Sequence, residues 1–366
     1  MSTPALHKVW LLCVVIVAGF SSGCSTFGYY TQAVTGHLRL MNARQPVEKL
    51  LNDEQTPVEL REKLQTLVDA KVFAVETLGL PQNDSYSTYV ETGKKAIAWN
   101  VVAAGEFSLV PETWCFPVAG CVSYRGYFDR ADADRFAAKL AARNFDVTIG
   151  GASAYSTLGW FDDPILDTML RGSDIRFVGT LFHELAHQLL YVKDDSDFNE
   201  AFASFVEQEG LRQWLTERGE ASRIDQYEAS IERSNNFVQL LGNTRQALLQ
   251  LYEESIDETA MRERKAQVFQ SMRDEYATLK SDWGGYSGFD GWFDREINNA
   301  HLIAVSTYRR FVPAFRAMYI EAGEDLPKFY DVARVAAELP RDERRERLNA
   351  YVRALQMTSD SQDSTR

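Results

Sequence analysis

Apolar residues recur at helical spacing through Ile175, Val178, Leu181, Phe182, Leu185, Leu189 and Leu190, which predicts a buried helix running to about Val192, with Asp174 placed to cap it. A polar turn follows at Lys193-Asp194-Asp195-Ser196-Asp197, and a second helix is expected to begin near Asp197 or Asn199. Upstream, residues 28–42, 47–51 and 58–78 read as helices, with Pro46 and Pro57 at helix-start positions. The pattern changes over 96–160. Residues 96–104, 124–128 and 146–155 are β-compatible, with a helix over 131–143 between the last two. Beyond 200 come long helices of mixed charge, such as 240–256 and 258–280, then a glycine-rich break at 281–288 and further helix over 292–338. The polar tail 356–366 is expected to be disordered. The fold class is therefore α+β and mostly helical, with a small sheet preceding a pair of helices. The regions are 24–95 (helical), 96–215 (core), 216–355 (helical) and 356–366 (tail).

The first predicted helix carries His183-Glu184-Leu185-Ala186-His187. Residues four apart stack on one helix face, so both imidazoles can address one ion, while Glu184 projects beside them toward a bound water. Such a pair on a helix, with a glutamate between, is the zinc-peptidase motif; a helix whose histidines serve only the core or the surface is the bland alternative. Catalytic zinc usually takes three protein ligands and keeps a fourth position open. Glu200, in the first turn of the second helix, is the expected third ligand, and Ser204 shares its face and could support it. Asp197-Phe198-Asn199-Glu200 also fits a capping box, in which Glu200 would only satisfy a backbone N–H. Glu207 or Glu209 would then have to complete the site from two turns further on.

The stretches His183-Glu184-Leu185-Ala186-His187-Gln188 and Asn199-Glu200-Ala201-Phe202-Ala203-Ser204 resemble the gluzincin zinc peptidases, particularly the aminopeptidase N-like enzymes. The spacing departs from that group, since twelve residues separate His187 from Glu200 where the group has a longer insertion. Further stretches resemble a family of bacterial lipoproteins known as predicted aminopeptidases: Gly28 to Ala33, Thr113 to Pro117 with Gly120-Cys121, Tyr124 to Phe128, Ala154 to Pro164, and Asn298-Asn299-Ala300. The resemblance implies a zincin-like core, Zn2+ as cofactor, a peptide or protein substrate and Glu184 as general base. It also implies an edge strand that pairs with substrate, for which Gly151 and Ala152 stand at the right distance before His183, although a plain strand with a bulge reads equally well. The glutamate that grips a substrate's amine in the aminopeptidase N group has no counterpart here, and Asp162 or Asp163 would have to serve. A downstream donor to the oxyanion is expected as well. Tyr308 is the first choice, ahead of His301 and Tyr286.

Residues 1–23 read as an export signal: His7 and Lys8, an apolar run of 12 residues from Val9 to Phe20, then Ser21-Ser22-Gly23-Cys24. The last four resemble a lipobox, with Ser21 where leucine is usual, so Cys24 would carry the lipid and anchor the chain to a membrane. Ordinary cleavage near Gly23 is the alternative. Ser25 resembles the sorting signal for the outer membrane, which places the chain in the cell envelope facing the periplasm. In that oxidising compartment Cys115 and Cys121 suggest a disulfide, two free buried thiols being the other reading. The formal net charge of −13 excludes nucleic acid as a partner. Two rival functions remain at this stage: an endopeptidase of the envelope, and a zinc-binding lipoprotein without catalysis.

Overall fold

The structure, a computed structural model, describes Tyr29, residues 31–116, 120–154, Thr157, 161–306 and 311–363. The export signal, Cys24 and Tyr308 lie outside the described residues. The chain opens with α1 (31–42), β1 (Gln45–Pro46), α2 (Val47–Asn52) and α3 (Val58–Glu76). Pro46 and Pro57 stand at the N-caps of α2 and α3, where a missing N–H costs nothing.

Two small sheets and a hairpin follow. Strand β2 (Thr88–Val90) joins β1 to β8 (Ile165–Leu166). Strands β3 (Ala98–Gly105), β6 (Arg125–Tyr127) and β7 (Phe145–Ala152) form an antiparallel sheet in the order β6-β3-β7. Alternation along β3 explains its two covers. Val101 and Ala103 pack on α4 (Arg130–Ala141), whereas Val102 and Ala104 meet Ala300 and Ile303 of α10 (Asn299–Ser306). Strands β4 (Trp114–Phe116) and β5 (Gly120–Val122) pair as a hairpin closed by a Cys115–Cys121 disulfide.

The rest is helical: α5 (Asp174–Leu189), α6 (Ser196–Glu217), the long antiparallel pair α7 (Ala221–Tyr252) and α8 (Glu258–Asp282), α9 (Asp290–Phe293), α11 (Val312–Glu321), α12 (Leu326–Glu338) and α13 (Arg341–Asp363). The expected mostly helical α+β class is the observed one. Helices α3, α5, α6, α11 and α12 share one core that reaches from Leu40 to Leu348. The α7/α8 pair has its own apolar cluster, around Phe237, Leu248, Met272 and Phe293. Among the described residues no helix is long and apolar enough to cross a membrane.

Helix α13 runs on to Asp363. No Gly or Pro follows Pro340, so nothing in the chain interrupts the helical hydrogen bonds.

Candidate metal centre

Helix α5 buries Phe177, Val178, Leu181, Phe182, Leu185 and Ala186 and turns His183, Glu184 and His187 toward a cavity. Its N-cap is Ser173, with no side-chain cap bond; Asp174 is instead the first helical residue, its carboxylate 2.6 Å from Arg223. The connection to α6 is built to hold its shape. Asp194 takes a left-handed conformation (φ 65°), and Asp195 caps α6 by accepting from the Phe198 N–H at 3.3 Å. Asp195 is held in turn by the buried guanidinium of Arg344 at 2.8 Å. Asn199 locks the same loop through two bonds of 2.7 Å to the N–H and C=O of Val192. With Asp195 as the cap, the capping-box reading of Glu200 fails, and its carboxylate faces the histidines.

Glycines set how closely α5 and α6 approach. A Cβ on Gly179 would lie 2.9 Å from Leu211 Cδ1, and one on Gly210 would lie 2.9 Å from the Phe182 ring. A methyl at either position would force the facing side chains to move. That close contact brings two carboxylates of α6 onto the histidine face of α5.

The donor atoms are already spaced for one ion. His183 Nε2 and His187 Nε2 are 3.1 Å apart, His183 Nε2 is 3.4 Å from Glu200 Oε2, and His187 Nε2 is 3.7 Å from Glu200 Oε1. Bonds of about 2.05 Å in a tetrahedron separate ligand atoms by about 3.3 Å, so the three side chains stand near the spacing that a four-coordinate ion such as zinc requires. His183 Nδ1 lies 3.1 Å from Glu207 Oε2, which fixes the tautomer that leaves Nε2 available to a metal. Glu207 is thus a supporting partner of a ligand. Glu209 pairs with Arg212 and receives a bond from Tyr319 at 3.2 Å, so it takes no part.

Electrostatics agree that the cluster calls for a cation. Burial opposes charge on His183, but the Glu200 and Glu207 carboxylates outweigh it and hold its pKa well above the ordinary value. Burial, followed by the neighbouring His183, lowers His187 to about 4. Burial works against ionised Glu200, yet its bond from His183 and both imidazole charges leave its pKa lowered. A divalent ion would supply the same positive charge and displace the proton.

The cavity is about 490 Å³, and Glu184 lines it beside the two histidines. Gly151 and Ala152 form part of its wall at the end of β7, a strand that among the described residues pairs with β3 alone. The bare backbone at Gly151 serves the protein's own packing, since a Cβ there would fall 2.9 Å from Ala96 Cβ. Ser204 is buried on α6 and does not line the cavity. Asp163 is wholly buried and accepts two bonds of 2.9 Å from Thr157, and neither it nor Asp162 reaches the cavity wall. His301 is likewise elsewhere, buried with its Nδ1 accepting from the Asn298 N–H at 3.2 Å. Tyr286 lies against Arg233 and Trp283 near the end of α8.

Two phenols that the sequence did not single out line the cavity, Tyr124 and Tyr191. Burial, then the Glu200 carboxylate, raises both pKa values, so both keep a proton to donate. Tyr191 lies just past α5, which ends at Leu189 and not near Val192 as expected, so the extended backbone of Leu190, and not helical period, places it. Tyr124 is delivered by the chain that follows the β4/β5 hairpin. That hairpin is tied to the α5–α6 connection by the Cys121 N–H, which donates to Asp194 Oδ1 at 2.6 Å.

A family model described as "Putative aminopeptidase" matches residues 28–348, while no curated protein and no solved structure matches the chain. By that match over most of its length, the chain belongs to the putative aminopeptidase family.

Proposed function

We propose that the protein is a zinc-dependent aminopeptidase of gluzincin type, exported and held at the outer membrane, facing the periplasm, through acylation of Cys24. The observation that carries the catalytic reading is the tetrahedral spacing of three donors from residues 183, 187 and 200, with a glutamate beside them. Zinc held by His183, His187 and Glu200 would polarise a scissile carbonyl and lower the pKa of a water. Glu184 takes the proton from that water and passes it to the departing amine. Tyr124 and Tyr191 offer hydroxyl donors where negative charge develops on the carbonyl oxygen, a role for which Tyr308 is the sequence candidate. The edge of β7 at Gly151 and Ala152, which no strand among the described residues pairs, offers backbone groups to an extended peptide.

The lining charges favour a free amino terminus over a free carboxylate. Glu184, Glu200 and Glu207 face the cavity, and among the described residues no Lys or Arg does. A substrate's ammonium group is attracted to such a wall and a terminal carboxylate is repelled. The test is hydrolysis of an aminoacyl-peptide and its N-acetylated twin by wild type and Glu184→Gln. The reading expects cleavage that acetylation abolishes, and a loss of about 10²–10⁴-fold in kcat for the variant at unchanged metal content. Equal cleavage of both peptides would make the enzyme an endopeptidase. Unchanged kcat in the variant would remove Glu184 as base.

A further inference from the structure

We propose that a second cavity, about 550 Å³ between β6, α4 and the residues leading into α1, binds the phosphate of an anionic lipid headgroup. Its centre is Arg125. The guanidinium sits 4.2 Å from the Tyr29 ring and 4.7 Å from the Phe136 ring, so two aromatic faces fix its plane. Its Nε is buried and has no hydrogen-bond partner. Gln32 lines the same cavity. Its Oε1 accepts from the Phe128 N–H at 3.1 Å, which holds the amide, and its Nε2 is likewise buried without a partner. Two held side chains, each with a buried donor that has no partner among the described residues, therefore line one cavity.

The charge around them has one sign. Arg125, Arg135, Lys139 and Arg143 line the cavity against a single carboxylate, Asp132, which pairs with Arg135. Such a concentration is against the trend of a chain whose net charge is −13. Exposed lysines and arginines alone are ordinary solvated charge. A stacked arginine and a held amide, both with unmet donors, instead match an oxyanion with several lone pairs.

The lipid as source follows from position, and this step rests on the proposed acylation of Cys24. Tyr29 stands five residues beyond Cys24, and five extended residues span at most about 18 Å. An acylated Cys24 would therefore keep the cavity next to a bilayer surface, where headgroup phosphates are the most concentrated anions.

The test uses residues 25–366, which keep the whole of the main core from Leu40 to Leu348, so that no acyl chain can contribute. Co-sedimentation with phosphatidylglycerol vesicles is compared with phosphatidylcholine vesicles, and inorganic phosphate is added as competitor. Binding to phosphatidylglycerol alone is expected, weakened about tenfold or more in Arg125→Met and also in the exposed pair Lys139→Glu/Arg143→Glu, whose melting temperature should stay at the wild-type value. No binding, or undiminished binding by both variants, overturns the site. Tight binding of inorganic phosphate that displaces the vesicles overturns the lipid as its source. The mass of the N-terminal peptide from the native protein tests the anchor separately: binding without acylation supports the site while removing the anchor.

Discussion

Replacing Glu207 by glutamine keeps the size of the side chain and removes the charge that faces His183. In the folded chain Glu207 Oε2 stands 3.1 Å from His183 Nδ1, on the far side of the ring from the metal-facing nitrogen. A carboxylate there orients the imidazole and raises its basicity, and losing such a partner typically weakens metal binding 10–100-fold, about 1.4–2.7 kcal/mol. The Glu207 side chain is 34% exposed, so solvent screens part of its charge and the lower end, about tenfold, is the expected loss. The assay is a zinc competition titration against a chromophoric chelator at neutral pH, with helicity checked before metal is added. Glu200→Ala is run beside it and should lose far more, because a ligand itself is gone. An affinity within twofold of wild type would refute the supporting role. A loss as large as that of Glu200→Ala would make Glu207 a ligand.

Three further outcomes are expected from the fold around the site. Gly210→Ala should destabilise the metal-free protein by about 1–3 kcal/mol, because the new methyl meets Leu78 and Phe182; Gly242→Ala, with nothing within 4 Å, should be neutral or mildly stabilising, and equal urea midpoints would refute the close-packing argument. Arg344→Ala should cost about 3–5 kcal/mol by leaving Asp195 charged and buried, with part of the loss recovered when Asp195→Ala is added; a purely additive double mutant would contradict the coupling. His301 has a pKa lowered by burial to about 4, against 6.5 when unfolded. Between those values the unfolded chain binds the extra proton, so stability should fall on acidification from about pH 6.5 to 4, by up to roughly 3 kcal/mol. His301→Gln should remove that part of the acid dependence of the urea midpoint, and an unchanged slope would count against it.

The site was legible where local sequence decides geometry. The i, i+4 histidines and the apolar face of α5 needed only helical periodicity, and β3, buried over four successive residues, needed only a short apolar β-compatible run. Glu200 was placed by counting through a polar turn. Its freedom from capping was not readable, because the actual cap, Asp195, is fixed by Arg344 some 149 residues away. The tertiary crossing hid the rest. Glu207 reaches His183 only because Gly179 and Gly210 let two helices close on each other, and Tyr124 arrives from a hairpin tied to Asp194. The sequence alone assigns Asn298-Asn299 no structural role. In the fold Asn299 Nδ2 donates to the carbonyls of Glu106 and Ser108 at 3.0 Å, and Asn298 Nδ2 to that of Val147 at 3.1 Å. The pair clamps α10 to the sheet that walls the cavity.

Metal stoichiometry by elemental analysis of residues 25–366, purified beside Glu200→Ala, tests the central claim most directly. About one zinc per chain is expected in wild type, lost or sharply weakened in the variant. A wild type that holds no zinc after loading, or a variant that holds it equally well, would contradict a centre built from His183, His187 and Glu200.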